Sequence, residues 1–147
     1  MVNLSVNINK IATLRNARGE NLPNLVNFAM DVENFGANGI TVHPRPDERH
    51  IKYKDVIDLK NKIKTELNVE GNPSKNFLKL VRSIKPTQVT LVPDGLNDLT
   101  SNKGWDTIKN KSFLKDCIQE LKELRIRTSI FVDPNLKMID GAKRIGS

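Results

Sequence analysis

The sequence has a single cysteine, Cys117, which leaves no internal disulfide framework and no cysteine-based zinc site. Its only histidines, His43 and His50, stand seven positions apart and far from that cysteine, so a transition-metal centre is not expected. No apolar run approaches the ~18 residues needed to span a bilayer. The opening Met1-Val2-Asn3-Leu4-Ser5-Val6-Asn7 lacks both the basic segment and the apolar stretch of a secretory signal. These absences point to a reducing, cytoplasmic compartment. Aromatics are 5% of the chain and no run of five or more like charges occurs, which ranks a nucleic-acid-binding protein last. Neither GxGxxG nor GxxxxGK[ST] is present, so dinucleotide and P-loop sites lack their signatures.

What remains is an ordinary globular mix: 147 residues, 37% hydrophobic and 28% charged, the size of one domain. Charge is the one skewed quantity, 24 Lys+Arg against 17 Asp+Glu, or +7. Most lysines, Lys52, Lys54, Lys60 and Lys62 among them, alternate with carboxylates and read as a solvated surface. The arginines are more concentrated, as described below.

Short β-branched runs alternate with amphipathic segments. Leu4-Ser5-Val6-Asn7-Ile8 reads as a first strand, followed by a loop containing Arg15, Arg18 and Gly19. A helix is expected over Leu25, Phe28, Ala29, Val32 and Phe35, then a strand at Ile40-Thr41-Val42. The next helix carries Val56, Leu59 and Ile63, and a third strand runs through Leu67-Asn68-Val69 to Glu70. Asn72-Pro73 is expected to cap a helix with Phe77, Leu80, Val81 and Ile84 on one face. Gln88 to Val92 is the fourth strand, followed by a long loop from Pro93 to Asn110 that could close as a lid. Leu114, Cys117, Ile118, Leu121 and Leu124 mark a helix that makes Cys117 an inert core thiol. A fifth strand runs from Arg127 to Val132, and Asp133-Pro134 repeats the capping device for a helix with Leu136, Ile139 and Ala142.

Five βα units of about 29 residues imply a parallel sheet with right-handed crossovers. Two architectures fit: a five-stranded flavodoxin-like open sheet, or five units of a (β/α)8 TIM barrel, and length alone favours the first. In both, chemistry gathers where the βα loops leave the strands. Those ends carry Asn7 and Asn9, His43 and Arg45, Glu70, Asp94 and Asp133. His43 and Glu70 each follow an apolar strand and form the sharpest pair for general acid/base work. Arg45, Arg49 and His50 in one loop, with Arg15 and Arg18 in another, suggest a small phosphorylated ligand.

Two segments are long enough to be specific. Val6 to Gly19, which includes Asn7, Asn9, Lys10 and Ala12-Thr13-Leu14-Arg15-Asn16-Ala17-Arg18, resembles the opening of the pyridoxine 5'-phosphate synthase family. Gly39 to Ile51, with His43-Pro44-Arg45 and Arg49-His50, is similar to that family's second-strand signature. Asn68-Val69-Glu70 and Leu91-Val92-Pro93 continue the match in order. The resemblance implies a TIM barrel that condenses 3-amino-2-oxopropyl phosphate with 1-deoxy-D-xylulose 5-phosphate to pyridoxine 5'-phosphate, phosphate and water, in vitamin B6 synthesis. It implies no metal or organic cofactor, no nucleic-acid or membrane partner, and a homo-oligomer. By similarity His43 and Glu70 would be proton acceptors. Asn7 and Arg18 would contact the aminoketone phosphate, and Asn9, Lys10, Arg45, His50 and Thr100 the deoxyxylulose phosphate.

The chain departs from the family in two places. Asn9-Lys10 stands where many relatives have Asp-His, which removes a carboxylate and an imidazole and adds a cation near phosphate. Residues 1–147 supply only five of eight βα units, so the resemblance implies a truncated catalytic domain without the proton-donor histidine and the late glycine-rich phosphate loops. Such a piece is expected to leave sheet edges and apolar inner faces uncovered, to be unstable or aggregated when expressed alone, and to be inactive. The alternative is a non-catalytic α/β module that binds phosphorylated metabolites; a sixth strand and a late histidine downstream of Ser147 would speak for the enzyme.

Overall fold

The computed structural model describes residues 2–95, 98 and 100–147. Leu96, Asn97 and Leu99, inside the expected lid loop, lie outside the described residues. Eleven elements follow in chain order: β1 (Ser5–Asn7), α1 (Asn9–Arg18), α2 (Leu25–Asn34), β2 (Gly39–Val42), α3 (Tyr53–Lys62), β3 (Glu66–Gly71), α4 (Lys75–Ile84), β4 (Gln88–Leu91), α5 (Lys111–Glu123), β5 (Arg127–Ile130) and α6 (Leu136–Ile145). Residues 1–70 and 71–147 form two compact units.

In the first unit β2 lies between β1 and β3, and both pairings are parallel. A flavodoxin-like sheet would place the first strand between the second and third. The observed consecutive order is that of barrel-type βα units, as the resemblance implies. The register sets Asn7 beside Thr41 and Thr41 beside Asn68, and so divides the sheet into unlike faces. One carries Ile8, Ile40, Val42, Leu67 and Val69, all at most 1% exposed. The other carries a polar row: Ser5 Oγ lies 2.8 Å from Thr41 Oγ1, and Asn68 Nδ2 donates to Thr41 Oγ1 at 3.3 Å.

The second unit repeats the pattern. β4 and β5 pair in parallel with Thr90 beside Ser129, whose hydroxyls are 2.7 Å apart. Gln88 donates to Ser129 Oγ at 3.2 Å and accepts from Arg127 Nε at 2.6 Å. Val89 and Leu91 alternate with these residues and are fully buried. The face expected to be apolar is therefore lined by hydrogen-bonded polar side chains in each unit. Period-two alternation is what permits one face of a sheet to be polar while the other packs against helices.

The first helix corrects the sequence reading. Residues 9–18, expected as a loop, are α1, which buries Ala12 and Arg15 and ends on Gly19 at φ 76°. A left-handed residue there is readily accommodated only by glycine. Two caps also differ. Ser74 Oγ, not Asn72, accepts from Phe77 N at the start of α4, while Asn72 Nδ2 donates to Asp94 O at 3.1 Å. Asn135 caps α6; Asp133 Oδ1 instead accepts from Gly104 N at 3.0 Å, tying down the loop ahead of α5. Phe35 falls just past α2 and is 88% exposed. α6 exposes Leu136 and Ile139 and buries Ile145, and it meets Thr107 through Gly141 and the Met138 carbonyl rather than through its expected apolar stripe.

The remaining faces match expectation. Val56 and Leu59 on α3, Phe77, Leu80 and Val81 on α4, and Leu114, Cys117, Ile118 and Leu121 on α5 are buried. Burial pushes the Cys117 thiol pKa up, with Glu120 and Asp116 adding to the effect, so the sulfur stays protonated in the core.

Candidate active site

The first unit gathers most of the expected site residues where β1, β2 and β3 end. Asn7 closes β1, and its Oδ1 accepts from Asn9 N at 2.9 Å, which turns the chain into α1. Asn9 reaches across to the next strand end: its Oδ1 accepts from the backbone N–H of His43 at 2.9 Å. An amide oxygen performs this task as a carboxylate would, without placing a negative charge beside the histidine. Asn9 thus ties the end of β1 to the residue after β2 while staying uncharged.

His43 directly follows β2 and is 6% exposed. Val42 pairs with Val69 as the last pair of the parallel register, and His43 and Glu70 are the residues that follow that pair on the two neighbouring strands, Glu70 being half-buried in β3. The His43 ring also faces His50, with centroids 6.1 Å apart and planes tilted by 55°. Arg45, two residues on, is 4% exposed.

His50 is the most informative group. Its Nδ1 accepts from Ile51 N at 2.8 Å, so a neutral ring carries its proton on Nε2. Burial is the main effect pushing its pKa below the ordinary 6.5; Arg45, Arg49 and Lys10 act in the same direction and Asp47 opposes them. Lys10, exposed at the start of α1, therefore contributes its field to this corner. Because folded His50 holds its proton less readily than unfolded His50, the unfolded chain binds more protons as pH falls. The stability from this group is complete above pH 6.5 and is lost as pH falls through the folded value. Stability should decline between about pH 7 and pH 5, and His50→Asn should flatten that decline in urea midpoints; an unchanged slope would remove His50 as its source.

Other expected residues sit apart. Arg18 is exposed at the last position of α1, about 13 Å along the helix axis from Asn9. Thr100 is exposed in the second unit, between β4 and α5. Arg15 and Arg49, read from sequence as phosphate ligands, both have carboxylate partners. Arg15 pairs with Asp55 at 2.7 Å, and Arg49 binds Asp47 at 2.6 Å and holds that carboxyl below its ordinary pKa. Asp94 accepts from Ser101 Oγ. Sequence reasoning passed over Thr41 and Asn68, level with Asn7 on the polar face; their period-two alternation with Val42 and Val69 was the available signal. Among the described residues, no group of three or more His, Cys, Asp or Glu is placed to hold a metal ion, and no helix is long and apolar enough to cross a membrane.

This arrangement of amides, histidines and a glutamate at parallel strand ends can be compared with known proteins. Residues 4–147 match the family model described as "Pyridoxal phosphate biosynthesis protein PdxJ". The chain belongs to this family. Over all 147 residues it is 62% identical to a protein of Flavobacterium johnsoniae, 60% to one of Christiangramia forsetii and 59% to one of Cytophaga hutchinsonii, each named pyridoxine 5'-phosphate synthase. The chain spans 62% of the length of these relatives. The consecutive strand order of the first unit is consistent with partial TIM-barrel units of this family.

Proposed function

We propose that this chain carries the amino-terminal part of a pyridoxine 5'-phosphate synthase site, in one TIM-barrel catalytic domain that works as a homo-oligomer. The reaction condenses 3-amino-2-oxopropyl phosphate with 1-deoxy-D-xylulose 5-phosphate, giving pyridoxine 5'-phosphate, inorganic phosphate and water. The observation that carries the reading is the strand-end cluster: His43 anchored by Asn9, facing His50, and following, as Glu70 does on the next strand, the paired Val42 and Val69.

Imine formation, enolisation, phosphate elimination and ring closure each move a proton on or off carbon, nitrogen or oxygen. A histidine and a glutamate on neighbouring strand ends are suited to accept those protons at fixed positions. Asn7 and Arg18 contact the aminoketone phosphate; Asn9, Lys10, Arg45, His50 and Thr100 contact the sugar phosphate. Buried Arg45 and exposed Lys10 give the corner the positive field that two phosphorylated substrates require. His50, with Nδ1 occupied by Ile51, offers Nε2–H as a donor to a phosphate oxygen or a sugar hydroxyl.

The complete gene product should restore growth without pyridoxine in a bacterium lacking its own synthase, and the His43→Asn form should not. Failure of the folded wild-type protein to rescue growth overturns the assignment.

A further inference from the structure

The motif Leu14-Arg15-Asn16-Ala17-Arg18-Gly19 places two arginines close together, and sequence alone reads both as phosphate ligands. The structure separates them. Arg18 is exposed, whereas Arg15 is 7% exposed and its guanidinium is engaged by side chains of the protein. Its NH1 and NH2 donate to the two oxygens of Asp55 at 2.7 and 2.8 Å, a fork-on-fork pair. Its Nε and NH2 also donate to Asn16 Oδ1 at 3.1 and 3.0 Å. A phosphate could reach this guanidinium only by displacing a carboxylate that already holds it from α3.

The same three side chains converge on the backbone next to His50. Asn16 Nδ2 donates to Arg49 O at 3.2 Å and to His50 O at 2.9 Å, which uses both of its N–H groups. Arg15 NH2 donates to His50 O as well, at 3.3 Å. Asp55 Oδ2 accepts from Lys52 N at 2.8 Å. Three backbone groups within four residues are thus held by side chains from two helices. The His50 ring is bonded through Nδ1 to Ile51 N inside that held segment, so ring and backbone move together. Residues 46–49, ahead of it, are exposed, with Glu48 at φ 50°. On that outer side Glu48 Oε1 accepts from Tyr53 N at 2.6 Å.

We infer that Arg15, Asn16 and Asp55 are positioning residues: a clamp that fixes the Arg49–Lys52 backbone and thereby sets where His50 presents Nε2–H to the sugar phosphate. The inference rests on the function proposed above for the substrate, but the clamp itself has a readout that does not. Arg15 acts through Asp55 and the His50 carbonyl, not on a phosphate.

The test is Asn16→Asp in the complete gene product. Aspartate keeps an acceptor for Arg15 Nε and NH2 and leaves the Arg15–Asp55 pair intact. It replaces the two N–H donors with an oxygen that repels the Arg49 and His50 carbonyls. Displacement of a binding group by a fraction of an ångström should raise KM for the deoxyxylulose phosphate about ten- to a hundredfold. KM for the aminoketone phosphate and kcat should stay within about threefold. Asn16→Ala, which removes the donors without adding charge, should show the same split and serves if the aspartate form does not fold. An unchanged sugar-phosphate KM, or an equal rise in both KM values, overturns the clamp. Should the folded wild type make no product, the proposed function falls, and the clamp is then read from the His50 imidazole by nitrogen-15 spectra. Its titration should move towards 6.5 in Asn16→Ala, which brings no new charge near the ring, as the ring gains solvent, and an unmoved titration contradicts the clamp.

Discussion

Glu70→Gln and His43→Asn should each lower kcat of the complete gene product by about a hundred- to ten-thousandfold, while KM for both substrates changes little. The expectation follows from where each group stands. Glu70 lies half-buried at the end of β3, and glutamine keeps its shape and hydrogen-bonding reach while removing the charge that accepts a proton. His43 is held through its backbone N–H by Asn9, so asparagine at position 43 leaves that contact in place and removes only the imidazole. A fall confined to KM would make these residues binding groups. Rates near the wild-type value would remove them from the chemistry altogether.

Arg15→Met should destabilise the protein by about 3–5 kcal/mol, the cost of leaving a largely buried carboxylate without its partner. The Arg15 and Asp55 side chains are only 9% and 13% exposed, so little water reaches the charge left behind. Arg15→Met combined with Asp55→Leu should recover most of the loss, because two apolar side chains of similar volume leave no charge uncompensated. Recovery is incomplete because Asp55 Oδ2 also accepts from Lys52 N, and that N–H is then without its acceptor. Urea unfolding of the two single forms and the double form gives the coupling between them. A single substitution costing less than about 0.5 kcal/mol would mark the pair as an ordinary surface contact. The double form also separates stability from positioning: folded and stable, it should still bind the sugar phosphate weakly.

The strands, and the helices that bury a clean apolar stripe, could be read directly from residue order. Val56 and Leu59, or Leu114, Cys117, Ile118 and Leu121, recur at helical spacing and are buried as that spacing requires. α1 escaped the same test because its pattern is inverted. Leu14 is 52% exposed while Arg15 is buried, so the charge faces inward and the leucine outward. Periodicity of hydrophobicity cannot find a helix whose inner face is an ion pair. The caps went wrong for a local reason. Asn72 and Ser74, or Asp133 and Asn135, are two cappers with one proline between them, and tertiary partners at Asp94 and Gly104 drew the first of each pair away.

The candidate site divides in the same way. His43, Arg45 and Glu70 could be seen because parallel strands deliver their following residues to one end of a sheet. The link from Asn9 to His43, spanning 34 positions, has no sequence signature, nor has the hold of Asn16 and Asp55 on the His50 segment. Arg15 was misread for that reason: an arginine between two strand ends is either a phosphate ligand or a structural ion pair, and only the position of Asp55 decides.

The most direct measurement supplies the purified, folded complete gene product with both phosphorylated substrates and follows pyridoxine 5'-phosphate and inorganic phosphate together. One phosphate released per pyridoxine 5'-phosphate formed, with neither appearing when one substrate is withheld, is the expected result. Binding of both substrates without product would leave a metabolite-binding module and contradict the assignment of His43 and Glu70 as proton acceptors.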